Sequence, residues 1–162
     1  MKRLLALLLA LTVCVGTVSG CGGQETLTTH AHEDLTITLP AEAMDLSADP
    51  RFADYDFLFA CGLVTISGIR EERALLRQQG VDPTLQEYTD LLIRAHGLDC
   101  QMLLSDGITY FNYEAGDPQL FTYVVTVWET EEAYWTVQAY CRSEDYAAVR
   151  DAMWQYLRSI TV

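Results

Sequence analysis

Residues 119–141 alternate between apolar and mixed positions in two runs joined by Glu129-Thr130-Glu131-Glu132. Phe121, Tyr123, Val125 and Val127 share one parity of the first run; Leu120, Thr122, Val124, Thr126 and Trp128 share the other. In the second run Ala133, Trp135, Val137, Ala139 and Cys141 alternate with Tyr134, Thr136, Gln138 and Tyr140. A period of two, carried by β-branched and aromatic residues, predicts two paired strands. One parity of each run is apolar and the other mixed, so both sides of the sheet are expected to be covered.

The rest of the pattern supplies partners for this pair. Leu35-Thr36-Ile37-Thr38-Leu39 alternates and stops at Pro40, an opening strand, and residues 42–47 are expected to pair back on it. Residues 57–66 are almost continuously apolar, which predicts one strand buried on both faces, with Gly62 marking a bulge or a close approach. Ser67-Gly68 is expected to end it, and residues 70–79 read as a short charged helix closed by Gly80. Thr84 and Glu87 have capping-box spacing ahead of a helix whose apolar stripe is Leu85, Tyr88, Leu91, Leu92 and Ala95, with Gly97 at its end. Residues 99–104 and 108–113 flank Asp106-Gly107, a hairpin signal. Ser143-Glu144-Asp145 opens a last helix, in which Tyr146, Val149, Met153, Leu157 and Ile160 step by three and four.

An α+β fold follows: an antiparallel sheet of about six strands, a meander plus N-terminal strands, sandwiched by helices. A β-barrel would leave two amphipathic helices without a seat. The meander and its helices account for residues 35–162 as one domain.

The N-terminus has a different pattern. Lys2 and Arg3 precede an apolar run, residues 4–15, too short to span a bilayer. Val18-Ser19-Gly20-Cys21 resembles the bacterial lipobox, which makes residues 1–20 a lipoprotein signal peptide and Cys21 the lipidated N-terminus. A single acyl chain holds a protein only marginally, at about 0.8 kcal/mol per buried methylene. The two or three chains that the lipobox implies make a lasting anchor. The expected partner is thus the lipid bilayer, through acylated Cys21, and the expected location is the extracytoplasmic face of the cell membrane. Residues 21–34 read as that cysteine and a polar tether, spanning roughly 20 Å if flexible.

Charge narrows the partners further. The whole chain carries 23 acids against ten basic residues, a formal −13. Without Lys2 and Arg3 it is more acidic still. Such a surface repels phosphate backbones, which argues against nucleic acid, and anionic headgroups, so lipid must hold the protein down.

The parts in order, lipobox, strand ending in proline, buried strand, Gly68-Ile69-Arg70-Glu71-Glu72, Thr84-Leu85-Gln86-Glu87-Tyr88, meander, last helix and terminal Ser159-Ile160-Thr161-Val162, resemble the PsbP-like lipoproteins. That fold is named for an extrinsic subunit of the photosynthetic oxygen-evolving complex. The resemblance implies an antiparallel sheet between helical layers and a binding or assembly role without catalysis. It supplies no site residue, because none of the photosynthetic members' functional residues is matched.

Chemistry-bearing motifs are missing from the sequence: no G-x-S-x-G, H-E-x-x-H, phosphate loop or dinucleotide fingerprint. Cys61, Cys100 and Cys141 are odd in number and widely spaced, which fits buried free thiols. His96, at a helix end, is expected to answer the helix dipole rather than activate a thiol. His30, His32, Glu33 and Asp34 form the one cluster with metal-ligand chemistry. On a solvated tether its imidazoles are expected to point apart, so no metal and no cofactor is expected. Tyr110, Trp128, Tyr134 and Tyr140 fall on the less apolar parity and are the candidate partner surface. The sequence therefore supports a membrane-anchored, non-catalytic module that binds another envelope protein. A small-ligand or metal-binding lipoprotein is the alternative, and a hydrolase comes last.

Overall fold

The computed structural model describes residues 26–162; residues 1–20, where a signal peptide is expected, and Cys21 lie outside them. Nine strands are described: β1 Leu27–His32, β2 Leu35–Pro40, β3 Met44–Asp45, β4 Phe57–Cys61, β5 Val64–Glu72, β6 Leu103–Ser105, β7 Ile108–Ala115, β8 Phe121–Glu129 and β9 Ala133–Arg142. The helices are α1 Arg73–Gln78, α2 Leu85–Ala95 and α3 Tyr146–Arg158. Seven strands make one antiparallel sheet in the order β3-β4-β5-β9-β8-β7-β6, and β1 and β2 form a separate ribbon. This is the expected α+β architecture, with one strand more in the sheet and an added two-stranded layer.

Cross-strand register decides which residues share a face. Val124 stands opposite Ala139, and Ala139 opposite Ile66. With Trp135, Val137 and Cys141 these side chains face α3 and the β1–β2 ribbon, whose Ile37 and Leu39 and whose Met153 and Leu157 are fully buried there. On the other face Tyr123, Val125 and Val127 of β8 meet Tyr88, Leu92 and Ile93 of α2. The apolar parity of β8 therefore lies on the opposite face from the apolar parity of β9. Both faces are covered because each strand supplies one of them with grease and the other with mixed residues.

Several boundaries differ from expectation. The run 57–66 is two strands, not one: Cys61 pairs with Val64 across the two-residue loop Gly62-Leu63, and Gly62 supplies the positive φ such a loop needs. Gly68 does not end β5. It lies opposite Phe57, whose ring occupies the space a Cβ would need, so glycine lets the strand continue to Glu72. β3 pairs with β4, not with β2.

The tether expectation fails for residues 27–34. β1 pairs with β2 along its whole length, and the pattern is silent because β1 is the outer strand of a ribbon, mostly exposed. Helix α2 starts at the predicted capping box, with both reciprocal hydrogen bonds made. Its buried face is rotated, however: Thr89 and Ile93 are inside and Leu91 is 42% exposed. Ser143 does not cap α3; its hydroxyl pairs with Thr122 at 2.9 Å. The C-terminal tail returns to β2 through Thr36 and Thr161, which exchange backbone bonds of 2.9 and 3.0 Å.

A candidate docking cleft built on paired arginines

Three segments distant in sequence meet where β5 passes into α1. The tight turn of the ribbon brings Glu33, at positive φ, and Asp34. The end of β5 brings Arg70 and Glu72, α1 brings Arg73 and Arg77, and the β8–β9 turn brings Glu131 and Glu132. Between them lies an open cleft of about 750 Å³.

Asp34 is the anchor of this arrangement. It accepts hydrogen bonds from Thr130 Oγ1 at 2.5 Å, Trp135 Nε1 at 2.7 Å and Arg70 Nε at 3.3 Å. Burial pushes its carboxyl upward, but the bonds from Thr130, Trp135 and Arg70, with the Arg70 charge, outweigh that and hold it below the usual carboxylate range. Trp135 thereby has a partner for its indole N–H, which a buried tryptophan needs. Arg70 is only 10% exposed and lies opposite Trp135 in the sheet. Its guanidinium is 2.8 Å from Glu33, 3.5 Å from Glu132 and 3.7 Å from Glu72. Burial works against that charge, and Asp34 and the neighbouring acids more than restore it.

Arg73 is held differently. It donates to Glu129 at 2.7 Å and to the Thr130 carbonyl at 3.3 Å, and its guanidinium lies 5.3 Å from the Tyr134 ring centre. Its Nε is buried with no partner among the described residues. Arg77 is half-exposed and donates to Asp82 at 3.1 Å. The cleft thus presents guanidinium forks already matched to carboxylates, several of them on exposed, movable side chains. Such pairs can be exchanged for those of a charged partner, and arginines with buried stems are common anchors of protein interfaces.

The residues singled out from sequence are dispersed. Tyr110 packs edge-on against Trp154 of α3 at 4.9 Å, and Trp128 donates to Thr126 on that same face. Tyr134 is wholly buried on the α2 face, where its ring stacks on Tyr88 and its hydroxyl donates to the Pro83 carbonyl. Tyr140 joins a row across the sheet, 5.1 Å from Tyr123, which is 4.7 Å from Tyr113. The four aromatics therefore do not make one patch. Burial raises the phenols of that row, Tyr123 up to about 12, so they stay neutral.

His30 and His32 share one face of β1, as residues two apart on a strand do. Their rings lie 4.5 Å from Phe59 and Phe57, with both Nε2 atoms buried and, among the described residues, unpartnered. They act as ring packing, and among the described residues no three ligating side chains group to hold a metal. His96 caps α2, and its ring walls a small apolar cavity with Leu92, Leu98, Phe111, Tyr113, Val125 and Thr136, in which no thiol stands. Cys61 is buried. Cys141 is buried, its thiol pushed up to about 11 by burial and by Asp145. Cys100 is half-buried rather than buried, and burial with Asp99 raises it also. The raised thiols of Cys141 and Cys100 are poor nucleophiles.

No family model and no curated protein matches the sequence. A search of solved structures finds the solution structure of cyanobacterial PsbP (CyanoP) from Synechocystis sp. PCC 6803, with a TM-score of 0.56. The match covers 90% of this chain and 98% of that one, at 16% sequence identity. The chain has a PsbP-like fold. The likeness runs over nearly the full length of both chains, while identity this low transfers architecture and no residue role.

The arginine cleft was not found from sequence. Arg70, Arg73 and Arg77 read there as a charged helix face, and Glu33, Glu129 and Glu132, which pair with Arg70 and Arg73, lie about 40 and 60 residues away.

Proposed function

We propose that this chain is a lipoprotein anchored through Cys21 at the extracytoplasmic face of the cell membrane, and that its PsbP-like domain docks another envelope protein without catalysing a reaction. The observation that carries this reading is the open cleft in which Arg70, Arg73 and Arg77 meet exchangeable carboxylates. An interface of this kind selects partners through charge and geometry. Raised thiols and ring-packed imidazoles favour the same reading, as does the binding role implied by the PsbP-like resemblance. The lipobox supplies the anchor, and no helix among the described residues is long and apolar enough to cross a membrane.

The test is cross-linked capture from membranes with the native chain, Arg77→Glu and Cys21→Ser. Arg77 is half-exposed and among the described residues pairs with Asp82 alone, so its reversal leaves the fold intact. The expected result is a stoichiometric protein partner, lost on Arg77→Glu, and release of the Cys21→Ser chain from the membrane. Capture of that partner undiminished by Arg77→Glu removes the cleft from the account. A co-purified small molecule in place of a protein transfers the assignment to a ligand-binding lipoprotein.

A further inference from the structure

The two edges of the seven-stranded sheet are finished differently. At the β3 edge the outer side of β4 is occupied: Met44 and Asp45 pair with Ala60 and Phe59, Leu46 N–H donates to the Leu58 carbonyl at 2.8 Å, and Leu58 N–H donates to Ser47 Oγ at 2.9 Å. At the other edge β6 has three residues, which pair with Ile108, Thr109 and Tyr110 only. The eight-residue β7 runs on to Ala115, paired on its inner side with β8. The chain before β6 does not cover the remainder, since Leu98, Cys100 and Met102 pack into the layer beneath α2.

Register shows which groups are left over. Ser105 and Ile108 flank the two-residue turn Asp106-Gly107, both at positive φ, so they form the hydrogen-bonded pair that closes the hairpin. Every second residue of β7 from Ile108 then turns its N–H and C=O toward the β6 side. Tyr110 meets Leu103 there, while Asn112 and Glu114 meet no backbone partner among the described residues. Both are exposed. The usual protections of a free edge, a proline, a lysine or a bulge, are missing from this stretch. The Glu114 carboxylate accepts a hydrogen bond from Thr122 at 3.1 Å on the sheet face, and so does not shield the edge.

We propose that the free edge of β7 at Asn112 and Glu114 is a strand-addition site for an extended, basic segment of a protein partner. Backbone groups would supply the pairing and the chain's excess of acids, 23 against ten basic residues, the charge preference. The same charge disfavours a second copy of this chain as occupant. The inference rests on the docking reading above and assigns it a second contact.

The probe is a synthetic eight-residue peptide alternating valine and lysine, with a control N-methylated at alternate amides. Binding to the full chain and to Asn112→Pro is measured by titration, and amide exchange is followed in the unsubstituted protein. Proline at 112 removes an N–H that faces away from β8, so the β7–β8 ladder stays whole. The expected result is slowed exchange at Asn112 and Glu114 on peptide addition. Affinity should fall about tenfold for Asn112→Pro, the effect of one lost hydrogen bond, and further for the methylated peptide, which loses its N–H donors to both Asn112 and Glu114. Unchanged exchange at those two amides overturns the proposal, as does equal affinity for the methylated peptide, which would mean charge adhesion alone. Protection of the same amides by concentration of the protein itself also overturns it, in favour of a second copy. Membrane capture that survives Asn112→Pro but not Arg77→Glu removes the edge and leaves the docking reading standing.

Discussion

Trp135 and Tyr134 are neighbours in β9 that point into opposite layers, and they are satisfied by different means. Trp135 lies among Phe57, Val137, Ile37 and Leu157 and gives its N–H to Asp34, which belongs to another layer. Tyr134 stacks on Tyr88 and spends its hydroxyl on the Pro83 carbonyl, just ahead of α2. The α3 face is apolar almost throughout. The α2 face instead mixes Gln138, bonded to Ser67 at 2.9 Å, with Thr136 and a row of tyrosines. One face is held by excluded water and tight packing, the other by packing plus buried hydrogen bonds, each costly to break singly.

This difference predicts unequal responses to paired variants. Trp135→Ala empties a large site on the α3 face and removes one of the three hydrogen bonds to Asp34, and should cost about 3–5 kcal/mol. Tyr134→Phe keeps the ring and leaves one buried carbonyl unpaired, a loss of about 1–3 kcal/mol. Urea unfolding of both variants measures the contrast. Equal losses would mean that the two layers are not built differently, and an unchanged Trp135→Ala midpoint would contradict the face assignment.

The smallest expected effect is on pH dependence, and it involves both faces. Burial holds His32, in the ribbon, and His96, behind α2, below the ordinary imidazole value. The unfolded chain therefore binds protons more readily, so this contribution is complete above the unfolded value of about 6.5 and is lost as pH falls through it toward the folded values. Asp34 and Asp45 are lowered acids, whose contribution persists above about 3.9 and is lost below it. A urea midpoint that falls between pH 7.5 and 5.5, and a flatter response in His32→Asn with His96→Gln, is the expected result. Asp45 and Asp56 face His32 and oppose the trend, so the change should be modest; a rise in stability on acidification would reverse the sign.

How far the sequence carries depends on how local the cause is. The Thr84–Glu87 box is a local exchange of hydrogen bonds and was legible, as were β8, β9 and α3 from their periods. The alignment of β8 with β9 was not, because it depends on which residues the turn at Thr130 consumes: Glu129 pairs with Tyr134, and that choice sets both faces. β1 is not legible because its Thr28 and Thr29 are exposed and its histidines read as polar, although here they pack on phenylalanines. The cleft was beyond reach for the same reason that makes it an interface candidate. Asp34, Arg70 and Thr130 meet only after the whole sheet has formed.

The central claim is that β9 is sealed from both sides, so that binding is left to the cleft and the rim. Native-state amide exchange of the purified protein tests this most directly. The account predicts that Val137 and Ala139 exchange only through complete unfolding, with the free energy obtained from urea melts. Exchange at those amides through local opening, insensitive to low urea, would contradict it.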